Sequence, residues 1–382
     1  MDTGLLLDGY DAKHLTIACF GGRNALDIAH GAKQCGLKSL VVARQGREPL
    51  YAKHYKTRKR GKEEAGCVDD VLVVEELTDV LTKEVRADLR ARNAIFIQSK
   101  YFWRRFPSYG DVEQAFDVPM FGSRSLLRLE GRDQPYTQRD LLSEAGIRIP
   151  RRFNAPEDID RLAIVKVRDE LRGYGRTFFL AWDKESFEEE AQRRIKLGQI
   201  APKELERAVI EEYVVGALVN FHFFFSPLHS ELELVGIDVR RQTNIEGLQR
   251  MTPSQQKIVL GHVPLQMVEV GHTPSTLRES LVDGAFGLAE DFLGVTQSLP
   301  REIDPTGKGM VGPFTLQGVI AAEGGREEIV LFGVCFRPTT CPGIAATPYG
   351  MYLHRKPLTM GERIAMEISE AARDGRLHEI VT

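Results

Sequence analysis

The side chains best suited to chemistry fall in separate short segments that follow one another in a telling order. Lys166 sits near the end of the apolar run Ala163-Ile164-Val165-Lys166-Val167, and a glycine-containing stretch, Leu171-Arg172-Gly173-Tyr174-Gly175-Arg176, lies just beyond it. A lysine at a strand end beside such a loop can pair with nucleotide phosphates while glycine backbone N–H groups approach the oxygens. The same residues also suit an exposed basic hairpin. Glu211-Glu212-Tyr213-Val214 comes next. Extended backbone there can exchange hydrogen bonds with an adenine edge, and a carboxylate can take ribose hydroxyls; taken singly, adjacent glutamates equally suit solvent-facing charge. Last come the runs Met310 to Gln317 and Ile329 to Val334. Adjacent strands with inward polar residues at one depth can hold magnesium against nucleotide phosphates. The first strand offers Gln317, but the second offers Gly333, which has no side chain.

These residues need a scaffold, and hydrophobic periodicity supplies one. Leu15 to Phe20 reads as a buried strand, Gly21-Gly22 as a turn, and Asn24 as the cap of a helix running from Ala25 towards Gly36. Ser39 to Ala43, Asp70 to Val74, a helix from Thr82 to Arg92, and Ala94 to Ile97 continue the alternation, which specifies a parallel sheet covered by helices. This Rossmann-like unit is expected over residues 1–122. From Ser123 the pattern changes to a helix from Gln138 to Ala145, the Lys166 strand, and a charged helix from Ser186 to Leu197. Alternating strands at 220–225 and 231–238 suit an antiparallel sheet, and Leu281 to Phe292 reads as a helix. The basic stretch from Lys53 to Lys62, diluted by Glu63-Glu64, is expected to be a solvated loop.

A chain of 382 residues exceeds one ordinary core, so two or three packed units are expected. A formal net charge of −3 argues against a dedicated nucleic-acid binder. No apolar run approaches the roughly 20 residues that span a bilayer, and Met1-Asp2-Thr3-Gly4 lacks the basic start of a secretory signal, so a cytoplasmic protein is expected. The five cysteines are spread without a C-x-x-C pair, which disfavours a disulfide framework or structural zinc site. Cys19 and Cys335, inside apolar strands, are read as core packing, and His30 and His262 as ordinary helix or loop residues.

Lysine strand, glycine loop, Glu-Glu hinge and paired strands resemble the ATP-grasp arrangement. More closely, the chain resembles the archaeal ATP-grasp family of 5-formaminoimidazole-4-carboxamide ribonucleotide (FAICAR) synthetases. Segments that carry the resemblance include Gly31-Ala32-Lys33, Val118-Pro119-Met120-Phe121-Gly122, Glu211-Glu212-Tyr213-Val214-Val215-Gly216, Ser226-Pro227, Asn244-Ile245-Glu246-Gly247-Leu248, Gly312-Pro313-Phe314 with Leu316-Gln317, and Pro357-Leu358-Thr359-Met360-Gly361. They lie in register from about residue 15 onward. The resemblance implies a fold that is α/β and α+β, a Rossmann-like unit followed by a two-lobed ATP-grasp over 123–382 with its hinge near 211–216. It implies a homo-oligomer and formylation of 5-aminoimidazole-4-carboxamide ribonucleotide (AICAR) with ATP and formate, through formyl phosphate, in purine biosynthesis. By the same resemblance Lys166, Arg172, Gly173, Glu211, Glu212, Tyr213 and Val214 would bind ATP, while Arg23, Tyr101, Asn244 and Arg337 would bind the second substrate. Gln317 would be a ligand of Mg2+.

Departures from the family pattern cluster where chemistry is expected. Arg23 stands in place of a histidine, Tyr101 in place of a serine, and Gly333 in place of a metal-binding glutamate; Arg168, Asp169 and Glu170 occupy places where small residues are usual. Arginine can grip a phosphate but does not titrate near neutral pH. Losing a carboxylate removes a hard donor that magnesium favours, and Glu323, Glu327 or Glu328 would substitute only if the hairpin folded back. The departures leave two further readings: a synthetase-like relative with another substrate, and a catalytically weak nucleotide-binding protein.

Overall fold

Apolar runs bounded by glycine turns form the strands of a parallel sheet. In the computed structural model, which describes residues 3–382 except 107, 132–133, 168–176, 243–244, 264–268, 324 and 340–341, these are β1 (Thr16–Phe20), β2 (Lys38–Arg44), β3 (Asp70–Val74), β4 (Ala94–Ile97) and β5 (Met120–Phe121). They lie in the order β3-β2-β1-β4-β5, all parallel. Helix α1 (Ala25–Gln34) joins β1 to β2. Helix α2 (Lys83–Ala91), whose first turn is capped by the Thr82 hydroxyl accepting from the Val85 N–H, leads into β4. Strand order switches direction between β1 and β4, so a crevice opens beyond their C-terminal ends.

Asn24 does not cap α1. Its backbone is helical (φ −103°, ψ 0°) and no side-chain cap bond forms, because a capping amide needs extended backbone to turn back onto the first N–H groups. The basic stretch after Lys53 is exposed, as expected, yet ordered into a small hairpin of Arg58–Arg60 against Glu63–Ala65.

Beyond helix α3 (Gln138–Glu144), the strands β6 (Arg152–Phe153), β7 (Ala163–Val167), β8 (Thr177–Ala181) and β9 (Val209–Glu212) make an antiparallel sheet in the order β8-β7-β9-β6. Helix α4 (Lys184–Lys196), capped by Asp183, packs on it through Phe187 and Ala191. Residues 213–215 then lead into a second antiparallel sheet. Its strands are β10 (Gly216–Ser226), β11 (Glu231–Gln242), β12 (Glu269–Pro274), β13 (Gly312–Glu323) and β14 (Arg326–Cys335), in the order β12-β11-β10-β13-β14. Several exceed the apolar runs in the sequence, because ladder pairing continues through polar residues at their ends.

Period-two alternation divides the faces of this five-stranded sheet. Val219, Phe221, Phe223, Phe314 and Leu316 pack towards helix α5 (Glu279–Gln297), with Phe292 stacked 5.1 Å from Phe314. The opposite face carries Asn220, His222, Thr315 and Gln317, with Asn220 opposite Gln317 and His222 opposite Thr315. Helix α6 (Met360–Arg373) is wedged between this face and α1: Arg363 lies 4.0 Å over the Phe224 ring, and the Gly361 N–H donates to Asp27 at 3.0 Å. Val381 and Thr382 then pair with the exposed edge of the parallel sheet at Phe121 and Met120. The stretch 360–382 therefore packs with the N-terminal sheet as well as with the segment 123–359 that precedes it.

Among the described residues no helix is long and apolar enough to cross a membrane. Cys19 and Cys335 are buried in strands, where burial pushes their thiols up to about 12 and about 11. Such thiols carry little thiolate at neutral pH and serve as packing.

Candidate active site

The crevice at the switch point is a cavity of about 220 Å³. Arg23 and Asn24 line it from the turn after β1, Gln98, Lys100 and Tyr101 from the end of β4, and Arg337 from the segment after β14. Three of the residues assigned to the second substrate, Arg23, Tyr101 and Arg337, thus meet at one place. Asn244, the fourth, lies outside the described residues, as do Arg172 and Gly173.

Both arginines at this cavity are oriented by a carboxylate. The Arg23 guanidinium pairs with Glu269. Burial alone would raise the Glu269 carboxyl, but His272 and Arg23 beside it outweigh burial and hold it at about 2. Arg337 donates to Glu130 at 2.9 and 3.1 Å, and the other Glu130 oxygen accepts from the Phe336 N–H at 2.9 Å. Tyr101 packs edge-on to Phe20 with ring centroids 6.1 Å apart, and its ring lies where a side chain on Gly22 would begin, so Gly22 admits it.

Gln98 is a residue that motif reading missed. It is 3% exposed, and neither its amide oxygen nor its nitrogen has a hydrogen-bond partner among the described residues. Buried amides are ordinarily satisfied, so this donor and acceptor stand unused beside the cavity. A polar residue closing the wholly apolar run Ala94 to Ile97 was the signal in the sequence.

A charge cluster stands on β7 and β9 of the four-stranded sheet. Lys166 pairs with Glu211, which also accepts from Arg152 at 3.1 Å. Burial raises the Glu211 carboxyl, but Lys166 and Arg152 prevail and leave it below the usual range. Glu212 accepts from Arg148 at 2.8 and 2.9 Å and from the Arg151 N–H at 3.0 Å, with Arg161 nearby at 3.6 Å. Neither glutamate is solvent-facing: they are 8% and 6% exposed. Glu212 is caged by arginines, while Tyr213 is exposed and the Val214 side chain packs on Val319, Ala321 and Val330.

Gln317 lies directly opposite Gly333 across β13 and β14. A side-chain carbon built on Gly333 would meet Gln138 Oε1 at 3.2 Å and Gln317 Oε1 at 3.6 Å, with no carboxylate within 4 Å. Gln138 Oε1 already accepts from the Val334 N–H at 2.5 Å. Glu327 and Glu328 pair across from Ala322 and Ala321, far along the hairpin, and Glu327 is engaged by Arg278. The donors at this place are neutral amides, which do not fit a protein-held magnesium site, since Mg2+ selects carboxylates.

Comparison with known proteins places this geometry in a family. Residues 17–153 match a family described as "Protein of unknown function (DUF1246)", and residues 186–382 one described as "Domain of unknown function (DUF1297)". The 5-formaminoimidazole-4-carboxamide-1-(beta)-D-ribofuranosyl 5'-monophosphate synthetase of Methanopyrus kandleri is 36% identical over 377 residues, covering 99% of this chain and 98% of that protein. That of Methanothermobacter thermautotrophicus is 34% identical over 379 residues, covering 99% and 97%. Among solved structures, an IMP biosynthesis protein PurP from Thermococcus kodakaraensis superposes with a TM-score of 0.68 at 24% identity, covering 96% of this chain and 100% of that one. The ADP complex of purK, N5-carboxyaminoimidazole ribonucleotide synthetase, gives 0.57 at 12% identity, covering 90% and 78%. This likeness identifies the fold as ATP-grasp, and the near full-length identity means that the chain belongs to the 5-formaminoimidazole-4-carboxamide-1-(beta)-D-ribofuranosyl 5'-monophosphate synthetase family.

Proposed function

We propose that this protein joins formate to the amino group of AICAR at the expense of ATP, yielding FAICAR, ADP and phosphate. Formate oxygen attacks the γ-phosphorus and ADP leaves. The AICAR amine then attacks the formyl carbon, phosphate departs, and the amine gives up a proton. The observation that carries the reading is the convergence of Arg23, Tyr101 and Arg337 on one cavity at the end of the parallel strands, in a chain of this family. Arg23, Lys100 and Arg337 supply the positive charge that a nucleoside monophosphate requires, and Gln98 offers the donor and acceptor that a carboxamide matches.

ATP would lie between the two antiparallel sheets, with Lys166 directed to its phosphates and Glu211 positioning that lysine. The backbone at Tyr213 and Val214 would face the adenine. Positioning of the three reactants in one water-poor cleft is the main catalytic contribution expected of these residues. In this reading residues 1–122 form the AICAR side and 123–382 the nucleotide side, with α6 shared, and the protein acts as a cytoplasmic homo-oligomer. No step is assigned to a protein-held magnesium ion.

The test is ADP formation with purified protein, which should require AICAR and formate together. Gln98→Ala should raise the KM for AICAR roughly tenfold and leave that for ATP unchanged. ADP release that ignores AICAR or formate would exclude this reaction. The donor-poor Gln317–Gly333 pair favours, as a second reading, a relative that binds nucleotide but turns over another substrate or none. ATP binding without turnover on AICAR and formate would select it.

A further inference from the structure

The polar face of the five-stranded sheet holds a group of side chains that the proposed reaction does not use. His222 on β10, Asp238 on β11 and His272 on β12 sit on three neighbouring strands. His222 Nε2 lies 2.9 Å and His272 Nδ1 2.8 Å from Asp238 Oδ2, and all three atoms fall within 4.8 Å of one another. The side chains of His222 and Asp238 are 0% exposed and that of His272 is 2% exposed. Despite the short separations the angles are not those of hydrogen bonds, and none of the three atoms has a hydrogen-bond partner among the described residues. Buried polar atoms left this way are costly unless something else binds them.

The far side of each group is held. His222 Nδ1 meets the Thr315 hydroxyl at 3.0 Å, and that hydroxyl is braced by Thr339 at 2.7 Å. Asp238 Oδ1 accepts from the Asn220 amide at 2.8 Å. His272 Nε2 meets Glu269 Oε1 at 2.6 Å, and Glu269 pairs with Arg23. Hydrogen bonds on the outer atoms, with inner atoms converging on one another and held by charge alone, are how proteins orient metal ligands. Rigid strands supply the backbone, and each ring is fixed against flipping by its outer bond.

We propose that His222 Nε2, Asp238 Oδ2 and His272 Nδ1 bind one divalent transition-metal ion, with Zn2+ the best match. Two imidazole nitrogens and one carboxylate oxygen are a donor set for Zn2+ or Fe2+, whereas magnesium avoids imidazole. With bonds of about 2.0 Å, tetrahedral ligands stand about 3.3 Å apart, so each imidazole nitrogen would draw back from Asp238 Oδ2 by a few tenths of an ångström and a water would complete the shell. The site is distinct from the Gln317–Gly333 pair, although the two are linked through Asn220, which faces Gln317 across β10 and β13 and binds Asp238. It is also joined to the cavity through Glu269 and Arg23. The inference stands on this geometry and not on the proposed reaction.

Metal analysis of the full-length protein, stripped with a strong chelator and then dialysed against limiting Zn2+, tests it. One equivalent should be retained, and Co2+ in its place should give the intense visible absorption of a low-coordinate nitrogen–oxygen site. His272→Ala should abolish that equivalent and the absorption, and Glu269→Gln, which removes only an outer partner, should weaken Zn2+ binding ~10–100-fold. Because the wild-type spectrum alone is diagnostic, misfolding of either variant leaves the test intact. Wild-type protein that retains no Zn2+ and shows only the weak spectrum of hydrated Co2+ would overturn the proposal and leave an ion-paired His–Asp–His group. Retention unchanged in folded His272→Ala would overturn it equally.

Discussion

Position 333 faces Gln317 across β13 and β14, where the family resemblance expects a metal ligand, and it offers no donor. Gln138, from α3, reaches into the space that a longer side chain would take and satisfies the Val334 N–H instead. The consequence is chemical rather than architectural, because Gln317 still pairs directly with Gly333 and the register shifts only beyond it, at Gly318. Gly333→Glu restores a carboxylate beside Gln317, and a side chain there starts 3.2 Å from Gln138 Oε1, so Gln138 must yield by a few tenths of an ångström. The variant is expected to lower the Mg2+ concentration for half-maximal ADP formation by roughly tenfold. Magnesium titrations of the two proteins that coincide, at robust wild-type activity, would refute the idea that a donor is lacking.

Helices α1 and α6 cross with almost no side chain between them. A methyl group on Gly31 would lie 2.2 Å from the Gly361 carbonyl carbon, and one on Gly361 would lie 2.2 Å from the Asp27 carbonyl oxygen. Backbone cannot move aside as a flexible side chain can, so Gly31→Ala must push the helices apart. The expected cost is about 2–3 kcal/mol, at the upper end of ordinary overpacking, read as a lower urea midpoint at unchanged m-value. Stability equal to wild type would mean that the helices are less closely seated than described. The separation matters for function, since the turn that presents Arg23 and Asn24 leads directly into α1.

Across the whole molecule, one buried ionic group ties the five-stranded sheet to the segment that returns to the parallel sheet. Arg363 on α6 donates to both Glu233 oxygens at 2.7 and 2.8 Å and to Glu367 at 2.9 Å, while Ser226 donates to Glu367 at 2.7 Å. Burial raises the Glu233 carboxyl, but His354 and Arg363 dominate and hold it at about 2. A carboxyl depressed on folding adds stability above its unfolded pKa near 4.5 and loses it as pH falls towards 2. The contribution at neutral pH is on the order of 3 kcal/mol. Urea midpoints of the wild type should therefore fall between pH 4.5 and 2. Glu233→Gln, already destabilised at pH 7 by a buried arginine left with Glu367 as its carboxylate partner, should show a shallower decline. Parallel pH profiles for the two proteins would remove Glu233 from this role.

Much of the architecture was written into local pattern. The strands Asp70–Val74, Ala94–Ile97 and Ala163–Val167 have the bounds that their sequence runs predict, because runs rich in β-branched and apolar residues favour extended backbone and polar or turn-forming neighbours end them. Lys166, the glutamate pair and the Gln317 strand were visible through their order, and so was the mismatch at Gly333. Asn24 was misread as a cap because residue type alone does not reveal backbone angles. Gln98 carried a weak signal, one polar residue after an apolar strand, since its missing partners appear only when β4 meets the cavity. The His222–Asp238–His272 group was not legible at all: its members lie on separate strands, and only strand pairing brings them together. Order along the chain fixes which elements form, because propensity and periodicity are local. Which side chains share a buried point depends on register and twist between distant strands, and that only the tertiary structure decided.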